Sequence, residues 1–339
     1  MQYLKKVYSQ MLKKAYEDMG TGCYFDQWQW DEGVMMYGFI KAYEATGDDK
    51  IIDFIRYWTD YHLKRMDFGL SINTTAPLLG VMKLLEIEPD NINYFSVCKR
   101  FADWCISEAP RADLGCFEHS CTANKYPNQV WADTLFMGCI FLVKWGLFVN
   151  NDIYIKEALR QFELHYRFLK DEDTKLIYHG YDCNVREQKG VLWGRGNGWL
   201  AISAVEVLNM LDKSYEGYKK LESIYMEFIK GIIKFQDSSG GWHTVIDRND
   251  TYIEMSATSA FGYSILKAVS IGILDKDMLP YGNNALKCVI NDIDEEGKII
   301  HGSGGTCVMS DYEKYNDIPF VYTYFTQGLA MMLLSETEI

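Results

Sequence analysis

Asp133 stands in the run YPNQVWADTLFMGCIFL (126–142), two residues after Trp131 and at the head of a strongly apolar helical stretch. A carboxyl placed there has two readings. It can cap its helix and complement the helix dipole, or, with aromatic neighbours stripping its water, it can have a raised pKa and deliver a proton near neutral pH. In LWGRGNGWLAISAVEVL (192–208) a tryptophan, a cation and three glycines precede a periodic helix. Asn197 is the expected N-cap, and Gly194, Gly196 and Gly198 leave room for a ligand to approach the backbone. Arg195 is then the pocket cation, fitted to grip a carboxylate through two parallel hydrogen bonds, against the alternative of a structural ion pair. His179 in YHGYD and His243 in GGWHT lie in glycine and aromatic loops and offer donors to a substrate oxygen.

Aromatic residues make up 15% of the chain, and Trp28, Trp30, Trp193 and Trp199 lie beside glycine and charge. Such rings suit the apolar faces of sugars, so carbohydrate is the first ligand class considered. No HExxH, Walker, GxSxG or dinucleotide motif in its strand context is present. The nine cysteines are scattered, and Cys116 and Cys121 near His119 have no second pair at ligand spacing, so neither a metal nor a cofactor is expected.

Something must hold these loops. Apolar residues recur with helical period in about twelve segments: 2–18, 32–46, 50–65, 74–86, 93–108, 130–149, 151–169, 197–212, 216–235, 256–272, 276–291 and 323–336. No linker or low-complexity tract divides them, so the 339 residues read as one all-α domain, with six helical hairpins closing into a ring. A net charge of -13 gives no general footprint for nucleic acid or an anionic membrane. The longest apolar run, 139–149, is broken by Lys144 and falls short of the ~18 residues of a membrane span. An amphipathic N-terminal segment without an apolar export signal and unpaired cysteines point to the cytoplasm.

The chain resembles the unsaturated rhamnogalacturonyl and unsaturated glucuronyl hydrolases of glycoside hydrolase family 105. The likeness is carried by WQWDEGVMMYGFIKAYEATGD (28–48), YPNQVWADTLFMG, YHGYD, WGRGNGW, the segment GGWHTVIDRNDTYIEMSAT (240–258) and GGTC (304–307). It implies an (α/α)6 barrel and a small oligosaccharide substrate, made by polysaccharide lyases and ending in a 4,5-unsaturated uronic acid. The role of general acid and base passes to Asp133, and Trp131, His179, Trp193, Arg195 and Trp199 fall on pocket positions. Trp30, Asn197 and Trp242 complete the expected substrate contacts. Leu70 stands where many relatives carry a second acid, and Thr122-Ala123 where they carry a His-Lys pair. A uronate lyase, a sugar epimerase or a sugar-binding protein on the same ring of helices are the alternatives.

Overall fold

The structure, a computed structural model, describes residues 1–22, 26–66 and 68–336. Local chemistry sets many helix starts. α3 (Asp49–Arg65) begins behind Asp48, α5 (Ile92–Ser107) behind Asn91 and α7 (Asp152–Leu169) behind Asn151; each cap side chain accepts a hydrogen bond from a first-turn amide. The remaining long helices are α1 (Gln2–Asp18), α2 (Trp30–Thr46), α4 (Leu78–Ile87), α6 (Ile140–Phe148), α8 (Gly194–Met210), α9 (Tyr218–Ile232), α10 (Met255–Ser270), α11 (Leu279–Asn291) and α13 (Tyr324–Ser335).

Helices α2, α4, α6, α8, α10 and α13 touch one another in that order, and α13 returns to α2, closing a ring. Around it lie α1, α3, α5, α7, α9 and α11. Burial follows this division: α8 is buried continuously from Gly194 to Leu208, whereas outer helices such as α1 and α3 bury one stripe. The result is an (α/α)6 barrel with its core in the inner ring. At the end of α8 away from its first turn, Glu206 accepts from the Tyr37 and Tyr263 hydroxyls and pairs with Lys41 at 2.9 Å, tying α2, α8 and α10 together. Burial alone would push the Glu206 pKa up; Lys41 and the two phenols hold it down to about 2.

The ring closes where its first and last inner helices meet without side chains between them. A Cβ added to Gly38 would stand 2.4 Å from the Gly328 carbonyl oxygen, and one on Gly328 2.7 Å from Met35 Cα. Backbone cannot retreat as a flexible side chain can, so Gly38→Ala is expected to cost ~2–3 kcal/mol in urea unfolding. Parental stability in that variant would show that the two helices part freely.

Two elements depart from the sequence expectation in kind. The segment expected as a helix from residue 130 opens as a strand, β1 (Gln129–Trp131), paired antiparallel with β2 (Gly180–Asp182), which pairs with β3 (Glu187–Lys189). A short helix, α12 (Tyr312–Asn316), lies in a connection whose apolar spacing is too brief to signal one. Among the described residues no helix is long and apolar enough to cross a membrane, and every cysteine is a free thiol; Cys23 lies outside them.

Candidate active site

The small sheet brings Asp133 and His179 together. Trp131 pairs with Gly180, and the amide of Ala132 donates to the His179 carbonyl at 3.0 Å, so the residues flanking the two strands stand side by side. The chain then rises from β1 into a π-type turn, Leu135–Cys139, with the Asp133 carbonyl accepting from the Phe136 and Met137 amides. His179 Nε2 lies 3.2 Å from Asp133 Oδ2, and its Nδ1 lies 2.6 Å from the Tyr315 hydroxyl.

Ring contacts extend this pair into one continuous wall. Trp131 packs on Tyr126 and His119 at 4.4 Å each and on His179 at 5.5 Å, and His179 lies 4.2 Å from Trp193. The Arg195 guanidinium sits between Trp193 at 4.5 Å and Phe325 at 4.6 Å. Phe325 stacks on Trp30 at 4.9 Å, Trp30 meets Trp199 at 6.3 Å, and Trp199 meets Phe136 at 5.2 Å. Six of the nine site residues expected from sequence are therefore joined by ring contacts, with Asp133 bonded to one of them: Trp30, Trp131, His179, Trp193, Arg195 and Trp199. The first turns of α2, α8, α10 and α13 meet here as well, since Arg195 also reaches Ser256.

Within this wall the Asp133 side chain keeps 16% exposure while that of His179 has none, so the carboxyl is the group a ligand can reach. Burial pushes the Asp133 pKa up, but the hydrogen bond and charge of His179, with a smaller contribution from His119, bring it below the ordinary aspartate value. This corrects the expectation of a raised pKa, which took account of the aromatic surroundings and not of the histidine that the fold supplies. His119, which the sequence offered only as a metal fragment, is buried, bonded to Thr134 Oγ1 at 3.0 Å and lowered by burial to about 4, hence neutral at pH 7.

Four further expectations change. Arg195 is almost wholly buried: Nη1 donates to Ser303 O at 3.1 Å, Ser303 Oγ at 2.9 Å and Ser256 Oγ at 3.2 Å, and Nη2 donates to Gly304 O at 2.7 Å. Its two-pronged face therefore holds the loop 302–304, and Nε is the nitrogen left without a partner. Asn197 is not the N-cap, a position Trp193 takes; it lies in the first turn, and its amide bridges the N–H and C=O of Ile177 at 2.9 and 2.8 Å. Gly194 and Gly198 make room not for a ligand but for Ala257 and Ala260 of α10. Trp242 lies outside the wall: its indole donates to the Ile232 carbonyl at 3.0 Å and packs against Phe261.

Of the remaining carboxyls, Glu254 is fully buried, accepts from the amides of Ser256, Ala257 and Ser303 and from the Ser256 hydroxyl, and lies 3.9 Å from Arg195 Nη1, the structural ion pair that is the alternative reading of that arginine. Asp31, in the first turn of α2, is buried and raised by that burial, while Asp182 accepts from Asn184 beyond β2. Leu70 is half-buried against the core, and its neighbour Gly69 abuts Thr122, so the two departures from the family pattern lie side by side. Cys116 faces His165 rather than His119, and no group of three His, Cys, Asp or Glu among the described residues could hold a metal.

A family model described as Glycosyl Hydrolase Family 88 matches residues 3–339. The unsaturated rhamnogalacturonyl hydrolase YesR of Bacillus subtilis (strain 168) is 30% identical over 313 residues, covering 91% of this chain and 89% of that protein. An unsaturated 3S-rhamnoglycuronyl hydrolase of Formosa agariphila is 22% identical and covers 80% of this chain and 75% of its own. Among solved structures, a possible member of the GH105 family from Klebsiella pneumoniae superposes with a TM-score of 0.92 at 28% identity, covering 99% of this chain and 93% of that one. The carboxyl-centred aromatic pocket on a ring of six helical hairpins thus has relatives along its whole length, and the chain belongs to the glycosyl hydrolases of family 88, in the group that includes family 105.

Proposed function

We propose that this glycoside hydrolase removes a 4,5-unsaturated uronic acid from the non-reducing end of lyase-made oligosaccharides, with Asp133 as both acid and base. The observation that carries the reading is the reachable Asp133 carboxyl in a wall whose residues hold buried donors without partners, namely Trp193 Nε1, Arg195 Nε and Trp199 Nε1. Leaving such donors unpaired is costly, and an acidic sugar would satisfy them. The convergent helix N-termini favour the same anion.

Ordinary glycoside hydrolysis works with two carboxyls around the scissile bond. An unsaturated uronide is a vinyl ether and needs one. Asp133 passes its proton to C4, and the cation that forms at C5 shares its charge with the ring oxygen. Water adds at C5 and returns a proton to the Asp133 carboxylate, and the hemiketal opens to release the neighbouring sugar. A low pKa in the empty site fits this cycle, because the incoming substrate carboxylate raises it by like-charge repulsion and so loads the acid only when substrate is present. Leu70 then costs the reaction no essential group.

The enzyme works as a single (α/α)6 domain in the cytoplasm, where its free thiols persist. A uronyl-rhamnose unit is the first substrate to assay, a choice supported by the names of relatives that act on rhamnogalacturonyl and 3S-rhamnoglycuronyl substrates. The test is absorbance at about 235 nm with unsaturated disaccharides cut from rhamnogalacturonan, ulvan and glycosaminoglycan. Hydration bleaches the conjugated double bond, binding alone leaves it, and a lyase makes it grow. A steady or rising signal across the panel would refute the proposal.

A further inference from the structure

His179 can serve Asp133 in two ways that differ only in where its ring proton sits. With the proton on Nε2 it donates to the carboxylate; with the proton on Nδ1 it turns a lone pair toward it. The surrounding hydrogen bonds choose between them. The amide of Met309 donates to the Tyr315 hydroxyl oxygen at 3.1 Å, and the same hydroxyl lies 2.6 Å from His179 Nδ1. A phenol has one proton to give, and His179 Nδ1 is the acceptor within its reach among the described contacts. Tyr315 is fully buried, and its hydroxyl fits against Gly190, where an added Cβ would stand 2.6 Å from the oxygen. Gly190 has φ +78°, so both its conformation and this close approach call for glycine.

We propose that Tyr315 is a positioning residue for the hydration reaction: its hydroxyl, oriented by the Met309 amide, fixes His179 as the tautomer that donates Nε2–H to Asp133. This rests on the function proposed above and adds a residue 136 positions from the histidine it controls. After C4 has taken the proton, Asp133 must persist as a carboxylate until water is in place, and the Nε2–H bond stabilises it in that interval. The ionisable groups acting on the relay are Asp133 at one end and Tyr315 at the other, with His119 beside Asp133 and His179, Arg195 acting on Asp133 and Cys307 acting on Tyr315.

Nitrogen NMR of the parent protein labelled in its imidazole rings, with His179 assigned by its loss in His179→Gln, reads the tautomer directly and without substrate. A bare Nδ1 and a protonated Nε2 are expected; a proton on Nδ1 alone would overturn the assignment. In Tyr315→Phe nothing holds the ring proton on Nε2, so the bond that lowers Asp133 and stabilises its carboxylate is made only part of the time. The expected result is a fall in kcat of ~10-fold with KM within about twofold, and an alkaline limb of the kcat profile moved at least about half a pH unit toward alkali. A uniform loss at every pH, with the limb unmoved, is what a merely structural tyrosine would give and counts against the proposal. Failure of the parent protein to bleach any unsaturated disaccharide would instead refute the function proposed, a result separable from the tautomer.

Discussion

Replacing Asp133 by asparagine is expected to lower kcat by at least ~10²-fold while the protein stays folded and still binds its substrate. The amide can accept from His179 Nε2, and the helix-opening bonds from Phe136 and Met137 go to the backbone carbonyl, so neither is lost with the acid. What disappears is the proton for C4 and the base for water. Steady-state rates with an unsaturated disaccharide, alongside a melting curve, separate this from a capping role, which predicts near-parental turnover. The pH profiles of the parent enzyme carry a second check. Because His179 lowers the Asp133 pKa in the empty site and a bound carboxylate raises it, the alkaline limb of kcat/KM, which reports free enzyme, should lie at lower pH than that of kcat. Coincident limbs would mean that the substrate does not load the acid.

Arg195→Lys is the second change with a large expected effect. An ammonium is a point donor and cannot span Ser303, Gly304 and Ser256 at once, nor lie flat between Trp193 and Phe325. Loss of the Nε donor that the proposed function assigns to the substrate carboxylate, a charge-assisted bond of ~1.5–3 kcal/mol, should reduce kcat/KM by roughly 10- to 10²-fold. The substitution should also lower Tm by about 3 °C or more, since the loop carrying Ser303 and Gly304 loses its anchor. Unchanged kinetics with a lowered Tm would confine Arg195 to the loop and hand the substrate carboxylate to the two indoles.

The helical period was legible because each inner and outer helix buries a face, and the observed boundaries fall within a few residues of those the apolar spacing predicts, except at α6, which begins at Ile140 rather than at 130. The start of α8 was missed because Gly194, Arg195 and Gly196 look like a loop in one dimension; α10 packs so closely that glycine is required inside the helix. Asp133 stood out through its own neighbours, but its pKa did not, since His179 is 46 residues away and joins it only through the β1–β2 register. The same holds for Arg195, whose terminal nitrogens are occupied by a loop more than 100 residues downstream. Trp242 misled because a tryptophan between glycine and histidine resembles a pocket residue; its indole instead turns inward to Ile232. Tyr315 had no local signal at all, its role being created by the fold.

The glycine contact between α2 and α13 joins Gly38 to Gly328, residues far apart in the order of synthesis. At ~5–20 residues per second the apolar inner face of α2 waits on the order of tens of seconds for its partner, exposed to whatever else is sticky in the cell. Such long-range closure also slows refolding in vitro. Because Trp30 and Phe325 meet across that same seam, the sugar pocket is completed by the closing step itself. Recovery of turnover after dilution from denaturant therefore times the last event of folding, and should lag behind the return of helical signal.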